Sequence, residues 1–148
     1  MMAERKTKNP LHQGELKRIL DRHERWLIGL PDGQRAFIQG AELIGLKIIN
    51  RDLSHAVITE CNLDRVHLIQ CKAQSVDFKK NNFNFFSINR CDCRGSDFSQ
   101  SIMMNVDIEK SKMHKTDFLD THVQMLTCYE CAMRNYETDR IGNTRFRI

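Results

Sequence analysis

The sequence predicts an all-β solenoid preceded by one amphipathic α-helix, and three regularities support this prediction. Of the 21 residues spaced by five from Ile38 to Thr138, 20 are apolar. A second series, running two residues earlier from Ala36 to Tyr136, holds Ala, Cys, Val, Ser or Thr at 15 of its 21 positions. None of the 25 charged residues between positions 36 and 138 falls in the first series, and only Arg51 falls in the second. Neither a helical period of about 3.6 nor a strand period of two gives this pattern, whereas a solenoid with two inward and three outward positions per short side does.

The motif within each period is a small residue, then Asp or Asn, then Leu or Phe, then two variable residues. Clear copies are Arg51-Asp52-Leu53, Cys61-Asn62-Leu63, Val76-Asp77-Phe78, Ser96-Asp97-Phe98 and Thr116-Asp117-Phe118. The chain therefore resembles the pentapeptide-repeat family. The resemblance implies a right-handed quadrilateral β-helix with four pentapeptides per coil, hence about five coils over residues 36–138. The family shares a fold and has diverse functions, so function has to be argued from surface residues.

Six positions of the second series depart from the small-residue pattern. They are Leu46, Arg51, Asn81, Phe86, Leu126 and Tyr136. With 20 residues per coil, Leu46, Phe86 and Leu126 share one column along the tube. We therefore expect that side of the tube to be bulged or looser than the others.

Four segments are predicted along the chain: a flexible tail at 1–13, a capping helix and connector at 14–35, the repeat region at 36–138, and a C-terminal cap or tail at 139–148. Within residues 14–30, helical spacing places five residues on one face of a predicted amphipathic helix: Leu16, Ile19, Leu20, His23 and Leu27. An open solenoid end exposes core and strand edges, so the helix is predicted to cap the first coil rather than to bind a partner. The C-terminal stretch could close the other end or support end-to-end dimerisation.

The cysteines and histidines are not arranged for a metal site or for catalysis. All six cysteines fall on inward positions of the repeat: Cys61, Cys71, Cys91, Cys93, Cys128 and Cys131. Packing inside the tube is therefore favoured over zinc binding, despite the C-x-C and C-x2-C spacings. His55, His67, His114 and His122 lie outward in different columns, and no phosphate loop or nucleophile motif is present. We predict a protein without catalytic residues, metal, cofactor or small-molecule substrate.

The sequence contains no run of 18 apolar residues and begins with a charged segment rather than an apolar signal. A cytoplasmic protein without a membrane span is the expectation. The formal net charge of +4 resides in the flanks, because residues 36–138 carry 12 basic and 13 acidic residues. Direct nucleic-acid binding is therefore disfavoured.

Three surfaces follow from the 20-residue columns. An acidic ladder contains Asp77, Asp97, Asp117 and Glu137. A basic face contains Lys72, Arg90, Arg94, Lys110, Lys112, Lys115 and Arg134. Outward apolar residues in the later coils form a candidate partner-binding patch: Phe85, Ile102, Met104 and Met125, with Tyr129 near the following corner.

These surfaces predict a non-enzymatic protein-binding scaffold that presents a rigid solenoid to a protein partner or to a second copy of itself. One alternative rests on the resemblance, because some pentapeptide-repeat proteins mimic duplex DNA and bind type II topoisomerases such as gyrase. The acidic ladder motivates this alternative, and the basic face beside it weakens it. A second alternative is a secreted bacterial effector or a module that binds anions through the basic face.

Overall fold

The structure, a computed structural model, describes residues 9–133 and the backbone of residues 144–147. It contains one helix and thirteen short strands within these ranges. In chain order they are β1 Asn9–Pro10, α1 Gln13–Leu27, β2 Phe37–Gln39, β3 Ala41–Glu42, β4 Lys47–Ile49, β5 Val57–Thr59, β6 His67–Ile69, β7 Asn82–Asn84, β8 Ser87–Asn89, β9 Ile102–Met104, β10 Val106–Glu109, β11 His122–Val123, β12 Leu126–Tyr129 and β13 Thr144–Arg147. Within the described ranges no helix is long and apolar enough to cross a membrane.

The strands wind into a β-solenoid of about five coils, as the repeat predicts. From β2 to β12 all strand pairs are parallel, and partner residues are 20 positions apart, as in Ile38↔Ile58 and Phe83↔Met103. Four sides result. Side 1 contains β2, β5 and the bridges through Asp77 and Asp97; side 2 contains β3, β7, β9 and β11; side 3 is the six-stranded sheet β4, β6, β8, β10, β12 and β13; side 4 consists of bridges from Asp52 to Ala132.

The core is formed by the two inward series. Every described member of the first series is buried except Met133, which is partly buried, and the exceptions in the second series are Leu46 and Arg51 of the first coil. Phe78, Phe98 and Phe118 stack along the tube with ring centroids 5.1 and 5.3 Å apart. Burial of these residues on every coil is the main favourable term of the fold.

Small polar residues in the second series link one coil to the next. The Val76 N–H donates to Ser96 Oγ at 3.1 Å, and that hydroxyl donates to the Ala73 carbonyl at 2.6 Å. Cysteine plays the same role where the Cys71 N–H donates to Cys91 Sγ at 3.3 Å. The preference for Ser, Thr and Cys therefore reflects backbone groups inside the tube that need a partner.

Asn81 is the departure from the small-residue pattern that this scheme explains best. Its Nδ2 donates to the carbonyls of Ile58 and Phe78 at 2.7 and 2.9 Å, and its Oδ1 accepts from the Cys61 N–H at 2.8 Å. The buried amide is fully paired, so its polarity stabilises the coil contact.

The expected bulge on side 3 is absent from residues 47–129. Phe86 and Leu126 point inward and are buried, and the register of the sheet stays at 20 from β4 to β12. Large side chains fit there because the Phe86 ring packs edge-on against Phe83 at a centroid distance of 4.7 Å. The register changes only at β13, where Leu126 pairs with Thr144.

Every fifth residue from position 40 to 130 has a positive φ, with the exception of Met125. The glycines are Gly40, Gly45 and Gly95, and the other residues are Asn50, His55, Glu60, Arg65, Gln70, Ser75, Lys80, Phe85, Arg90, Gln100, Asn105, Lys110, Lys115, Asp120 and Glu130. The chain turns each corner in this left-handed conformation, which costs a non-glycine residue about 1 kcal/mol. No β-branched residue occupies these positions, in agreement with its higher steric cost there.

The helix α1 closes the N-terminal end of the tube. Leu16 and Leu20 are buried in the same core as the coils, as the predicted apolar face requires. The helix ends at Leu27, and the left-handed Gly29 after it lets the Leu30 N–H donate to the Arg25 carbonyl at 3.0 Å. Before the helix, β1 pairs with β3 and attaches residues 9–11 of the predicted tail to the first coil.

Candidate functional surfaces

The predicted apolar patch lies where side 2 meets side 3 in the later coils. Phe85, Ile102 and Met125 are 56%, 46% and 45% exposed, and Met104 is half-buried. The Phe85 N–H donates to the Met104 carbonyl and the Val106 N–H to the Met125 carbonyl, so three coils bring these residues together. We call Phe85, Ile102, Met104 and Met125 the apolar corner. Its flanking residues are polar and exposed: Asn105, His122 and Gln124.

Phe85 and Met125 occupy equivalent turn positions, 40 residues apart, but differ in backbone conformation. Phe85 is held at a φ of 53°, which directs its ring outward, and the Arg65 guanidinium carbon lies 5.9 Å from the ring centroid. Met125 is at the one corner position in this series without a positive φ. The backbone therefore fixes where Phe85 points, although the ring contacts solvent.

Tyr129 is placed apart from the apolar corner. It is at the far end of β12, four residues after Met125 along an extended strand. It pairs in register with Glu109, and a hydrogen bond to Glu130 raises the pKa of its phenol. The structure thus associates Tyr129 with carboxylates rather than with the other predicted partner-binding residues.

The acidic ladder forms a column on side 1. Asp77, Asp97 and Asp117 are bridged in parallel, and the Oδ1 of each accepts from the backbone N–H two residues later at 3.1, 2.9 and 2.8 Å. Each carboxylate is half-buried, and Asp77 also has Lys79 at 3.6 Å. The aspartates therefore stabilise the turns at this corner. Glu137, the fourth predicted member, lies outside the described residues.

The basic face occupies side 4 and its two corners, with Asp92 at its centre. Asp92 bridges Lys72 on one coil and Lys112 on the other. The Arg94 Nε and Nη2 donate to the two carboxylate oxygens of Asp92 at 2.8 and 2.7 Å, and the Gln74 amide donates at 2.7 Å. Burial acts to raise the pKa of Asp92, but these donors outweigh it and lower the pKa. Lys72, Arg90, Lys110, Lys112 and Lys115 are exposed around this group, while Arg134 lies outside the described residues.

The repeat pattern does not predict the polar contacts between α1 and the first coil. The Arg51 side chain donates to Glu24 Oε1 at 2.5 Å and to Asp21 Oδ1 at 2.7 Å. Burial acts to lower the pKa of Arg51, but the two carboxylates raise it. The signal was present, because Arg51 is the one charged residue in either inward series.

His23 is the second of these contacts. It is fully buried, its Nδ1 accepts from the Ala36 N–H at 2.9 Å, and its Nε2 is 3.0 Å from the Ser54 carbonyl. This pairing requires a neutral imidazole with the proton on Nε2. Burial lowers the pKa of His23 and so favours this form.

The six cysteines are free thiols buried in the tube. Burial raises the pKa of the Cys93 thiol, which favours its protonated form. Within residues 9–133 no three His, Cys, Asp or Glu side chains are grouped so that they could hold a metal ion. The C-x-C and C-x2-C pairs are buried in the hydrophobic core with the other inward residues.

Exposed apolar residues also surround α1, which the sequence columns did not reveal because the position of the helix does not follow from the repeat. Trp26, Ile28, Leu30 and Phe37 are exposed, and the exposed fraction is 74% for Ile28 and 66% for Phe37. Two grooves flank the helix, with volumes of about 740 and 560 Å³. The N-terminal end therefore presents a second surface of mixed apolar and charged character.

No family model matches the sequence, and no curated protein matches it. Solved structures do match. QnrB1, a plasmid-mediated fluoroquinolone resistance protein, is 17% identical over 69% of this chain and 53% of its own, with a TM-score of 0.46. Rfr23, a pentapeptide repeat protein from the cyanobacterium Cyanothece 51142, is 13% identical over 88% of this chain and 99% of its own, with a TM-score of 0.43. A pentapeptide repeat protein from the Arabidopsis thaliana thylakoid lumen is 16% identical over 71% of this chain and 66% of its own, with a TM-score of 0.34.

The fold defines a β-solenoid repeat protein. The coil that the repeat predicts is confirmed by the structure itself, in which parallel partner residues are 20 positions apart from β2 to β12. The chain spans about half the length of the QnrB1 structure. At these identities the likeness concerns the fold.

Proposed function

We propose that this protein is a non-enzymatic scaffold that binds a protein partner, or a second copy of itself, through the apolar corner. The observation that carries the proposal is the exposure of Phe85, Ile102 and Met125 on adjacent coils, with polar residues around them. An apolar centre rich in Met and aromatic residues inside a polar rim is typical of protein interfaces.

The rigidity of the tube supports this function. The strands on sides 2 and 3 that meet at the apolar corner pair with strands of the neighbouring coils. A surface whose backbone is already ordered loses little conformational entropy on binding, so more of the contact energy appears as affinity. The tube interior is filled with side chains, and two surface grooves lie at α1.

The test is a double variant of the apolar corner. Phe85→Ser with Met104→Ser is compared with Ile49→Ser with Leu119→Ser, which removes exposed apolar residues from sides 3 and 1. We expect only the corner variant to lose the partners recovered by chemical crosslinking and affinity capture, or to lose self-association in sedimentation velocity. Equal behaviour of the two variants and the original chain in both measurements would contradict the proposal.

A regulator of type II topoisomerases that imitates DNA is a second candidate, favoured by the stacked carboxylates of Asp77, Asp97 and Asp117. This column carries one carboxylate per coil, and neighbouring strands are about 4.8 Å apart, so it carries one charge per about 4.8 Å of the tube axis. Duplex DNA carries one charge per about 1.7 Å of axis, roughly three times the density. A gyrase supercoiling assay with and without a quinolone tests this function, and no effect at several-fold molar excess would eliminate it.

Anion or nucleic-acid binding through the basic face is a third candidate, favoured by the five exposed Lys and Arg side chains around Asp92. Arg94 is already paired with Asp92, and no aromatic residue is interleaved with the described members of this face. Only salt-sensitive contacts with phosphates would then be available. DNA retention at low salt that Lys112→Glu abolishes would support this candidate, and absence of retention would exclude it.

A further inference from the structure

The first coil ends in strand edges at the N-terminal end of the tube, and the four sides differ in how these edges are covered. On side 2, β1 pairs with β3. On side 3, the Gln13 side-chain amide bonds both backbone groups of Lys47, at 2.8 and 3.1 Å. On side 4, the Asp52 N–H donates to Glu24 at 3.3 Å. The segment before the repeat thus supplies partners for three of the four edges.

The fourth edge, β2 on side 1, has no such partner among the described residues. The Ala36 carbonyl accepts from the Val57 N–H, and the Gly40 N–H donates to the Thr59 carbonyl, so residues 36, 38 and 40 bond toward β5. In a parallel ladder the residues between them direct their groups to the opposite side. The N–H and C=O of Phe37 and Gln39 therefore point away from the tube, and among the described residues no hydrogen bond to them occurs.

A groove of about 740 Å³ lies beside this edge, between α1 and residues 32–37. Its apolar surface comes from Ile19, which packs on the core, and from Phe37, whose side chain is 66% exposed. An unpaired strand edge next to an exposed aromatic ring is a template for another strand.

The lining of the groove carries four arginines, Arg18, Arg22, Arg25 and Arg35, against three carboxylates, Glu15, Asp21 and Asp32, which is a surplus of one positive charge. Asp21 is paired with Lys17 and Arg51, and Asp32 is paired with Arg25. The guanidinium groups of Arg18, Arg22 and Arg35 have no carboxylate within ion-pair distance in residues 9–133. The Arg35 guanidinium is held 5.7 Å from the Trp26 ring and donates through Nε to the His55 carbonyl, which fixes its position.

We propose that β2 and this groove bind an extended, acidic segment of a partner protein, which adds a strand to side 1. The backbone of Phe37 and Gln39 supplies the hydrogen bonds, the Phe37 ring supplies apolar contact, and the three arginines select acidic side chains. This surface is distinct from the apolar corner and does not depend on it. The residues that precede β1 in the sequence include Arg5, Lys6 and Lys8, so their charge matches the groove poorly.

The test uses fluorescence anisotropy with a labelled peptide of alternating Glu and Val. Three variants of the full chain each remove one component: Phe37→Ser, Arg22→Glu and Gln39→Pro, the last of which deletes an outward N–H without touching the β2–β5 ladder. We expect saturable binding by the original chain, weakened about tenfold or more by each variant and by about 0.5 M salt. Peptides with Lys in place of Glu, or N-methylated at alternate residues, should not bind.

The matched controls are Leu119→Ser and Lys80→Glu, an exposed apolar residue and an exposed basic residue elsewhere on the tube. They should bind the peptide as the original chain does, and circular dichroism verifies the fold of every variant. The proposal is overturned if no saturable binding occurs up to about 1 mM peptide. It is also overturned if binding survives both Gln39→Pro and Phe37→Ser, if it requires removal of residues 1–8, or if the groove instead mediates self-association that Phe37→Ser abolishes.

Discussion

The first coil and the middle coils use one inward backbone position in different ways. In the column on side 4, Cys71, Cys91, Ser111 and Cys131 are buried. The backbone N–H of Cys71 donates to Cys91 Sγ, and the N–H of Cys91 donates to Ser111 Oγ, so each bond joins residues 20 positions apart. At the head of the same column, Arg51 extends toward α1 and pairs with Asp21 and Glu24. The comparison shows that the element on the N-terminal side of a coil, another coil or the helix, determines which side chain the position accepts.

An arginine in place of a small buried residue of the middle coils should have the largest effect on stability. Cys91→Arg places a charge in the filled interior, where no carboxylate replaces Asp21 and Glu24. An unpaired buried charge is among the most destabilising changes known, and we expect a loss of about 4 kcal/mol or more in the free energy of unfolding. Urea denaturation followed by circular dichroism measures it, with Cys91→Ser as the conservative control. A Cys91→Arg protein as stable as the control would contradict the assigned packing.

Asn81→Leu should be the next most damaging change. It removes the acceptor of the Cys61 N–H, the donor to the Ile58 carbonyl and one of the two donors to the Phe78 carbonyl, at a cost of about 2–4 kcal/mol. Asn81→Ser should cost less, because Ser101 occupies the equivalent position of the next coil and bonds backbone in the same way. Equal midpoints for the two variants in urea would show that the amide contacts are not needed.

Arg51→Cys makes the first coil resemble the middle ones and removes the link to α1. The side chain of Arg51 is 19% exposed and bonds two carboxylates, so we expect a loss of about 1–2 kcal/mol, reduced by salt. A double-mutant cycle with Glu24→Gln isolates the pair. A coupling energy near zero would mean that the ion pairs do not hold the cap.

The left-handed turn residues recur in all coils, and substitutions there should change the stability less. Lys115 is exposed with a φ of 57°, so Lys115→Gly should stabilise the tube by up to about 1 kcal/mol, and Lys115→Val should destabilise it by about as much. The matched position is Lys112, which lies outside the left-handed series and should respond in the opposite order. Thermal unfolding of the four variants distinguishes these expectations.

His23 should make the cap, and not the middle coils, sensitive to pH. Its pKa in the folded chain is lowered from the ordinary 6.5, so the unfolded or open form binds the proton more readily. The stabilisation by neutral His23 is therefore present above pH 6.5 and is lost as the pH falls toward the folded pKa. Protonation removes the acceptor of the Ala36 N–H, and hydrogen exchange at that amide should accelerate relative to Val76 once the intrinsic pH dependence is corrected. Identical corrected pH dependence at both amides would refute this.

The period of the sequence predicted the tube well because inward residues must be apolar or small on every coil. It did not predict the left-handed corners, since charged, polar and aromatic residues such as Lys115, Gln70 and Phe85 all adopt them. It misjudged the column of Phe86 and Leu126, because spacing alone does not show how a neighbouring Phe83 ring accommodates a large side chain.

The surfaces were predicted less completely than the core. Columns placed Phe85, Met104 and Met125 together correctly, because the backbone pairing of adjacent coils follows from the period. They placed Tyr129 near the following corner, and β12 carries it to that end of side 3. The repeat pattern did not predict the groove at Phe37, because the groove depends on how α1 crosses the first coil.

The central functional claim is that the apolar corner, rather than exposed apolar residues in general, contacts a partner. The most direct measurement places the photocrosslinker p-benzoylphenylalanine at Phe85 in one chain and at Leu119, on side 1, in another, and irradiates cells that contain each. We expect a discrete crosslinked adduct from position 85 that Met104→Ser diminishes, and none from position 119. Adducts of equal yield from both positions, or none from position 85, would contradict the claim.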